Sequence, residues 1–162
     1  MHDFGKNRLL KNANFRHKIL KGIEKMSNLE IKVRPKIGFL FTGLKAYWPQ
    51  FPEFIEIGTN MYGRYLSKLK EIGEVVECDA KFCDDAQISE ETGKKFLREE
   101  IDILFILPFG YTTGMEIVPC ARQMKAPIRL LCTHEDATYD LKTADTATFL
   151  HHSGCCCMPE YA

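Results

Sequence analysis

The 162-residue sequence has no run of 18 apolar residues and no secretory hydrophobic region. That removes the signals of a spanning helix and of export, and the expectation is a cytoplasmic protein with no membrane partner. Net charge is also missing, since 22 Lys and Arg balance 22 Asp and Glu. Nothing overall draws a nucleic acid or an anionic surface, and no nucleic-acid partner is expected. A disulfide framework is missing too: the cysteines number seven, which is odd, and Cys155, Cys156 and Cys157 are consecutive. Reduced thiols in a cytosolic protein are the simpler reading. The chain contains no G-x-G-x-x-G after its first apolar run, no G-x-x-x-x-G-K-[ST] and no G-x-S-x-G. Without those glycine-lined turns there is no phosphate cradle and no nucleophile elbow, and no nucleotide cofactor is expected.

What is present is an alternation of apolar runs with amphipathic segments. Residues 36–43, KIGFLFTG, form an apolar and β-branched run with a Pro-Lys start and a Gly stop, as a strand buried on both faces requires. Residues 51–73 carry Phe54, Gly58, Met61, Tyr62, Tyr65, Leu69 and Ile72 at spacings dominated by three and four, with charges opposite, which predicts a helix. Pro52 fits its first turn and Gly73 its end. Residues 74–80 read as a second strand and 81–88 as a polar connection. Ser89 then reads as the N-cap of a helix running to residue 100. Residues 101–109, IDILFILPF, are the second long apolar run and a central strand. Residues 115–125 are expected to be helical, with Pro119 either in the first turn of a helix starting near Val118 or kinking a longer one. Residues 128–133 make a fourth strand, and 143–150 are expected to be helical.

Strands alternating with helices through short connections imply right-handed βαβ crossovers. The fold expected is α/β and flavodoxin-like (Rossmann-like), a three-layer sandwich around a parallel sheet of about four strands in the order 2-1-3-4. That order leaves a crevice at the carboxyl edge of the sheet, where the connections from the first and third strands diverge. The crevice collects Lys45, Tyr47, Trp48, Tyr111, Thr112, Thr113 and His134, with Glu135 and Asp136 beside them. A cation, aromatic platforms and hydroxyls suit a monosaccharide or related polyol. The alternative for Tyr47 and Trp48 is that they cover a helix end. His151 and His152 with Cys155–Cys157 offer metal donors, but consecutive side chains diverge and no second C-x-x-C supports them, so no metal site is expected.

The first 25 residues hold seven Lys or Arg against two acids. Residues 1–35 are read as a basic extension, either a mobile tail or a partner-binding helix. Met26 offers a second possible start of translation. Residues 36–162 are read as the α/β domain.

Three stretches, KIGFLFTGLKAYWPQFPEF, ILPFGYTTGMEIVPCARQMKAPIRLLCTHEDATYD and FLHHSGCCCMPEYA, together resemble the amino-terminal domain of bacterial L-fucose and L-arabinose isomerase-like proteins. The resemblance covers residues 36–162 and consists of strand ends and loops in the same order. It implies an aldose–ketose isomerase, an intramolecular oxidoreductase of carbohydrate metabolism, using a divalent metal, usually Mn2+, in a trimer or hexamer whose sites lie between subunits. The amino-terminal domain of such a protein lends substrate-contacting loops, whereas the metal-binding groups and the acid/base pair belong to later domains. Residues 43–47 and 109–113 look like those loops. Arabinose isomerases have Gln and a Leu-Tyr pair where this chain has Lys45 and a shorter loop, so the resemblance leaves the sugar open. It also implies that the chain corresponds to the first domain of a longer protein, lacks catalytic residues and isomerises nothing alone, with the remaining isomerase domains or like subunits as partners. The other reading is a free-standing flavodoxin-like module that binds a small molecule or a protein.

Overall fold

The computed structural model describes residues 34–133 and 140–154, which fall in one compact unit beginning at Arg34. The expectations for residues 1–33, for His134, Glu135 and Asp136, and for Cys155–Cys157 lie outside the described residues.

Four strands, β1 (Lys36–Thr42), β2 (Glu74–Cys83), β3 (Ile103–Pro108) and β4 (Ile128–Leu130), form one sheet in the order β2-β1-β3-β4. Every pairing is parallel. Helix α1 (Glu53–Ile72) connects β1 to β2, α2 (Ala86–Arg98) connects β2 to β3, and the four-residue α3 (Val118–Ala121) precedes β4. A short α4 (Thr146–His151) follows. The expected architecture and strand order are those observed.

β1 is central because both its faces are apolar. Ile37, Phe39 and Phe41 pack with Phe54, Met61, Tyr62 and Leu69 of α1, while Leu40 packs with Phe96 of α2 and with Leu104 and Ile106 of β3. All three β1 residues of the α1 face, and Leu40, are at most 1% exposed. Phe41 touches four rings, those of Phe39, Tyr62, Phe82 and Phe109, at centroid distances of 5.3–6.3 Å. Such tilted and offset contacts add to the burial of the rings themselves. The spacing of α1 anticipates its buried face except at Ile72, which is 57% exposed in the last turn.

Several boundaries differ from the sequence expectation. β2 runs three residues further than residue 80, because a bulge restores its pairing. Its register passes from Phe39↔Glu77 to Phe41↔Phe82, and Lys81 adopts a left-handed φ of 64° to absorb the extra residues. The bulge also protects an open sheet edge, as does Lys95, whose ammonium donates to the Glu77 carbonyl at 2.9 Å. Ser89 does not cap α2. Asp85 does, accepting the Ile88 N–H at 2.9 Å, and Ser89 lies inside the helix, buried, with its Oγ accepting the Cys120 N–H at 3.1 Å. Pro119 occupies the first turn of a helix starting at Val118. The expected longer helix is broken there into a 3-10 turn (Gly114–Glu116) and α3. The strands at 101–109 and 128–133 shorten to Ile103–Pro108 and Ile128–Leu130, and the last helix starts at Thr146 rather than 143.

Cys78, Cys83 and Cys120 belong to the core on the α2 face, whereas Cys132 is exposed. Burial pushes the Cys120 thiol up to about 12 and raises that of Cys83 as well, and a protonated thiol is a poor nucleophile. In native protein at neutral pH, a thiol reagent is expected to modify Cys132 while Cys78, Cys83 and Cys120 remain unlabelled until denaturant is added. Peptide mapping by mass spectrometry reads this directly. Labelling of Cys83 at the rate of Cys132 contradicts the packing.

Candidate functional site at the carboxyl edge of the sheet

The carboxyl ends of β2, β1 and β3 are knitted by backbone bonds. The Gly43 N–H donates to the Cys83 carbonyl at 3.2 Å and the Phe109 N–H to the Thr42 carbonyl at 2.8 Å. The loops after the three strands therefore emerge side by side, with that after β1 in the middle. It begins with a 3-10 turn, Lys45–Tyr47, closed by a bond from the Tyr47 N–H to the Leu44 carbonyl at 2.9 Å.

Lys45 and Trp48 both reach toward the loop after β2. The Lys45 ammonium lies 3.3 Å from Asp85 Oδ2, and Trp48 Nε1 donates to Asp84 Oδ2 at 2.6 Å. Trp48 is held on two further sides. Its ring is 5.1 Å from that of Phe82, and a Cβ on residue 43 would come within 2.6 Å of its benzo edge. Gly43 is there because the ring lies against its backbone. Tyr47 turns the other way, meeting Phe51 and Phe54 edge-on at 6.0 and 6.2 Å, so its ring closes the start of α1.

On the β3 side, Thr112 is fully buried and Tyr111 partly so. Thr113 and Glu116 form a reciprocal cap, the carboxylate of Glu116 accepting both the N–H and the hydroxyl of Thr113 at 2.8 Å. Glu116 is only 4% exposed, and this buried acid pins the end of the 109–113 loop. The carboxyl end of α4 covers the same loop. His151 packs on Phe109 at 5.5 Å, His152 is buried beside it with ring centroids 4.4 Å apart, and the Leu150 carbonyl lies over Gly110.

No protein-family model matches this sequence, and no curated protein matches it.

Of the residues expected at the crevice, Lys45 and Trp48 thus share the β1–β2 side, Tyr111 and Thr112 follow β3, and Tyr47 packs against α1. β1 and β3 are adjacent, as the crevice requires. Asp84, Asp85 and Glu116 were not among the expected residues. A signal for two of them stands in the sequence. Thr113-x-x-Glu116 is a capping-box spacing, and Asp85 lies three residues before the Ile88 N–H it caps. No comparable signal marks Asp84, whose partner is 36 residues away. Among the described residues no group of three or more His, Cys, Asp or Glu could hold a metal ion. No helix among them is long and apolar enough to cross a membrane.

Asp85 links fold and site. The backbone N–H of Ile88 and then the Lys45 ammonium hold its carboxyl below the usual carboxylate range. A lowered folded-state pKa means that its contribution is complete above the unfolded value, about 3.9 for Asp, and is lost as pH falls through the folded value. Asp85→Ala is expected to cost about 1 kcal/mol through the lost cap, and Asp85→Asn, which keeps an acceptor for Ile88, less. Both variants should show a shallower loss of stability below about pH 4 than the parent, the titrating group being absent. Urea melts at pH 3 and pH 7 check this, and an undiminished acid sensitivity in Asp85→Asn would exclude the linkage.

Proposed function

We propose that residues 36–162 are the amino-terminal, sugar-holding domain of an aldose–ketose isomerase-like protein, presenting substrate-contacting loops while the metal and the proton-transferring groups come from other domains or subunits. One observation carries this reading. The 2-1-3-4 strand order sets the loop after β1 beside the loop after β3 at the switch point of the sheet, the position where open α/β folds take their ligands. Those are the two loops in which the sequence resembles the family. Lys45, Trp48 and Tyr111 supply a cation, an indole and a phenol, a set suited to a neutral polyhydroxylated molecule that needs directional hydrogen bonds and flat apolar contact together. Tyr47 packs on Phe51 and Phe54, and Thr112 is buried.

Trp48 is the sole tryptophan, so its fluorescence reports on the site. L-arabinose or L-fucose is expected to perturb it with millimolar affinity, about −4 kcal/mol of binding free energy. Incubation of the same protein with Mn2+ and either sugar is expected to yield no ketose. Metal-dependent turnover abolished by Glu135→Gln or Asp136→Asn would place the chemistry on this chain and overturn the reading.

A further inference from the structure

The loop after β2 brings two adjacent carboxylates to the carboxyl edge, and they are differently engaged. Asp85 is used on both oxygens, Oδ1 by the Ile88 N–H and Oδ2 by Lys45. Asp84 is used on one, Oδ2, by the Trp48 indole N–H. Its other oxygen has no hydrogen-bond partner among the described residues, and the side chain is only partly buried. A carboxylate oxygen that no described group engages, on a side chain that is only partly buried, is available to a donor from solution.

The indole beside it is immobilised. Phe82 supports one side, the backbone of Gly43 another, and Asp84 fixes the nitrogen. Bond and ring together make a rigid unit in which an apolar surface stands beside a carboxyl acceptor. Holding both in place before binding reduces the ordering cost that a sugar site must otherwise meet on association. The neighbouring cation is already neutralised by Asp85, so the local balance of this corner is not positive. A neutral ligand rich in hydroxyl donors fits it, and an anion does not.

From this geometry we infer that Asp84 is a ligand-contacting residue, its unengaged oxygen accepting hydroxyl protons of a neutral polyol that lies against Trp48. The assignment rests on the reading of the carboxyl edge as a sugar site and adds to it a residue from a third loop. A purely structural Asp84, present to satisfy the indole N–H, is the competing account, and Asp84→Asn separates the two. Asparagine keeps an oxygen for the indole but removes the charge that strengthens a hydroxyl contact.

The 162-residue chain is titrated with L-arabinose and with L-fucose, following Trp48 emission, and acrylamide quenching of Trp48 is measured without sugar. In Asp84→Asn, quenching and melting temperature are expected to match the parent, while the dissociation constant for the bound sugar rises about tenfold, the loss of one charge-assisted hydrogen bond. Asp84→Ala is expected to bind as weakly and also to expose the indole to acrylamide. Asp84→Asn binding as tightly as the parent overturns the assignment while leaving the sugar site standing. Weakened binding accompanied by altered quenching in Asp84→Asn also overturns it, because the loss then travels through Trp48. If the parent binds neither sugar, the reading of the site fails and the assignment fails with it.

Discussion

Phe41→Ala is expected to remove about 3–5 kcal/mol of stability, the cost of deleting a large ring from a core that cannot collapse around the void. Phe41 is fully buried in the central strand and is ringed by Phe39, Tyr62, Phe82 and Phe109. Its neighbours come from β1 itself, α1, β2 and the end of β3, so no single element can shift to fill the space without disturbing another. A domain of this size is stable by about 5–15 kcal/mol, so the variant should sit near the edge of folding. Equilibrium urea unfolding measures the difference. The consequence extends to the edge of the sheet, because Phe82, on which Trp48 rests, loses a neighbour. A loss below about 1 kcal/mol would mean that the aromatic cluster repacks, against what its shared contacts imply.

The second large effect is expected at Gly110. Its φ of +67° lies in the left-handed region, and a Cβ there would stand 2.9 Å from the Leu150 carbonyl oxygen. Gly110→Val meets both obstacles: a β-branched residue strains that backbone by about 1–3 kcal/mol, and the obstructing atom is main chain, which cannot rotate away. Relief requires the end of α4 to lift from the 109–113 loop, taking His151 off Phe109. Gly110→Ala should show a smaller loss, carrying the backbone strain without the branched methyls. Thermal melts of both variants give the ranking, and the sugar titration of Trp48 shows whether the loop after β3 takes part in binding. Equal stability of Gly110→Val and the parent would show that residue 110 does not need its left-handed conformation.

The architecture was legible in the sequence because its signals are local. Ile37 to Thr42 and ILFILP are runs without a charged residue that tolerate burial on either face, and they became the two central strands. The spacing of Phe54, Gly58, Met61, Tyr62, Tyr65, Leu69 and Ile72 marked α1; Tyr65 is half-buried, Ile72 is exposed in the last turn, and the others are buried. Errors gathered where two local signals competed. Ser89 and Asp85 are both good N-caps. The winner is Asp85, because Ser89 lies opposite Cys120, where its hydroxyl satisfies a backbone N–H that the start of α3 leaves without a helical partner. Residues 81–83 read as a connection because Lys81 interrupts the pattern, and only pairing with β1 makes them a strand.

The alternating apolar and amphipathic segments determined by themselves an α/β chain with β1 and β3 at its centre, since burial on two faces is a property of composition and spacing alone. Which polar groups meet at the carboxyl edge was decided by tertiary structure. Lys45 and Asp85 are 40 residues apart, and nothing near either one names the other. They meet because β2 lies beside β1 and because the bulge between Glu77 and Phe82 places extra residues in β2. Side chains alternate faces along a strand, so an added odd number of residues reverses which side each following residue takes. That shift settles how Cys83 enters the core and where Asp84 and Asp85 emerge, a long-range outcome of pairing that no local pattern encodes.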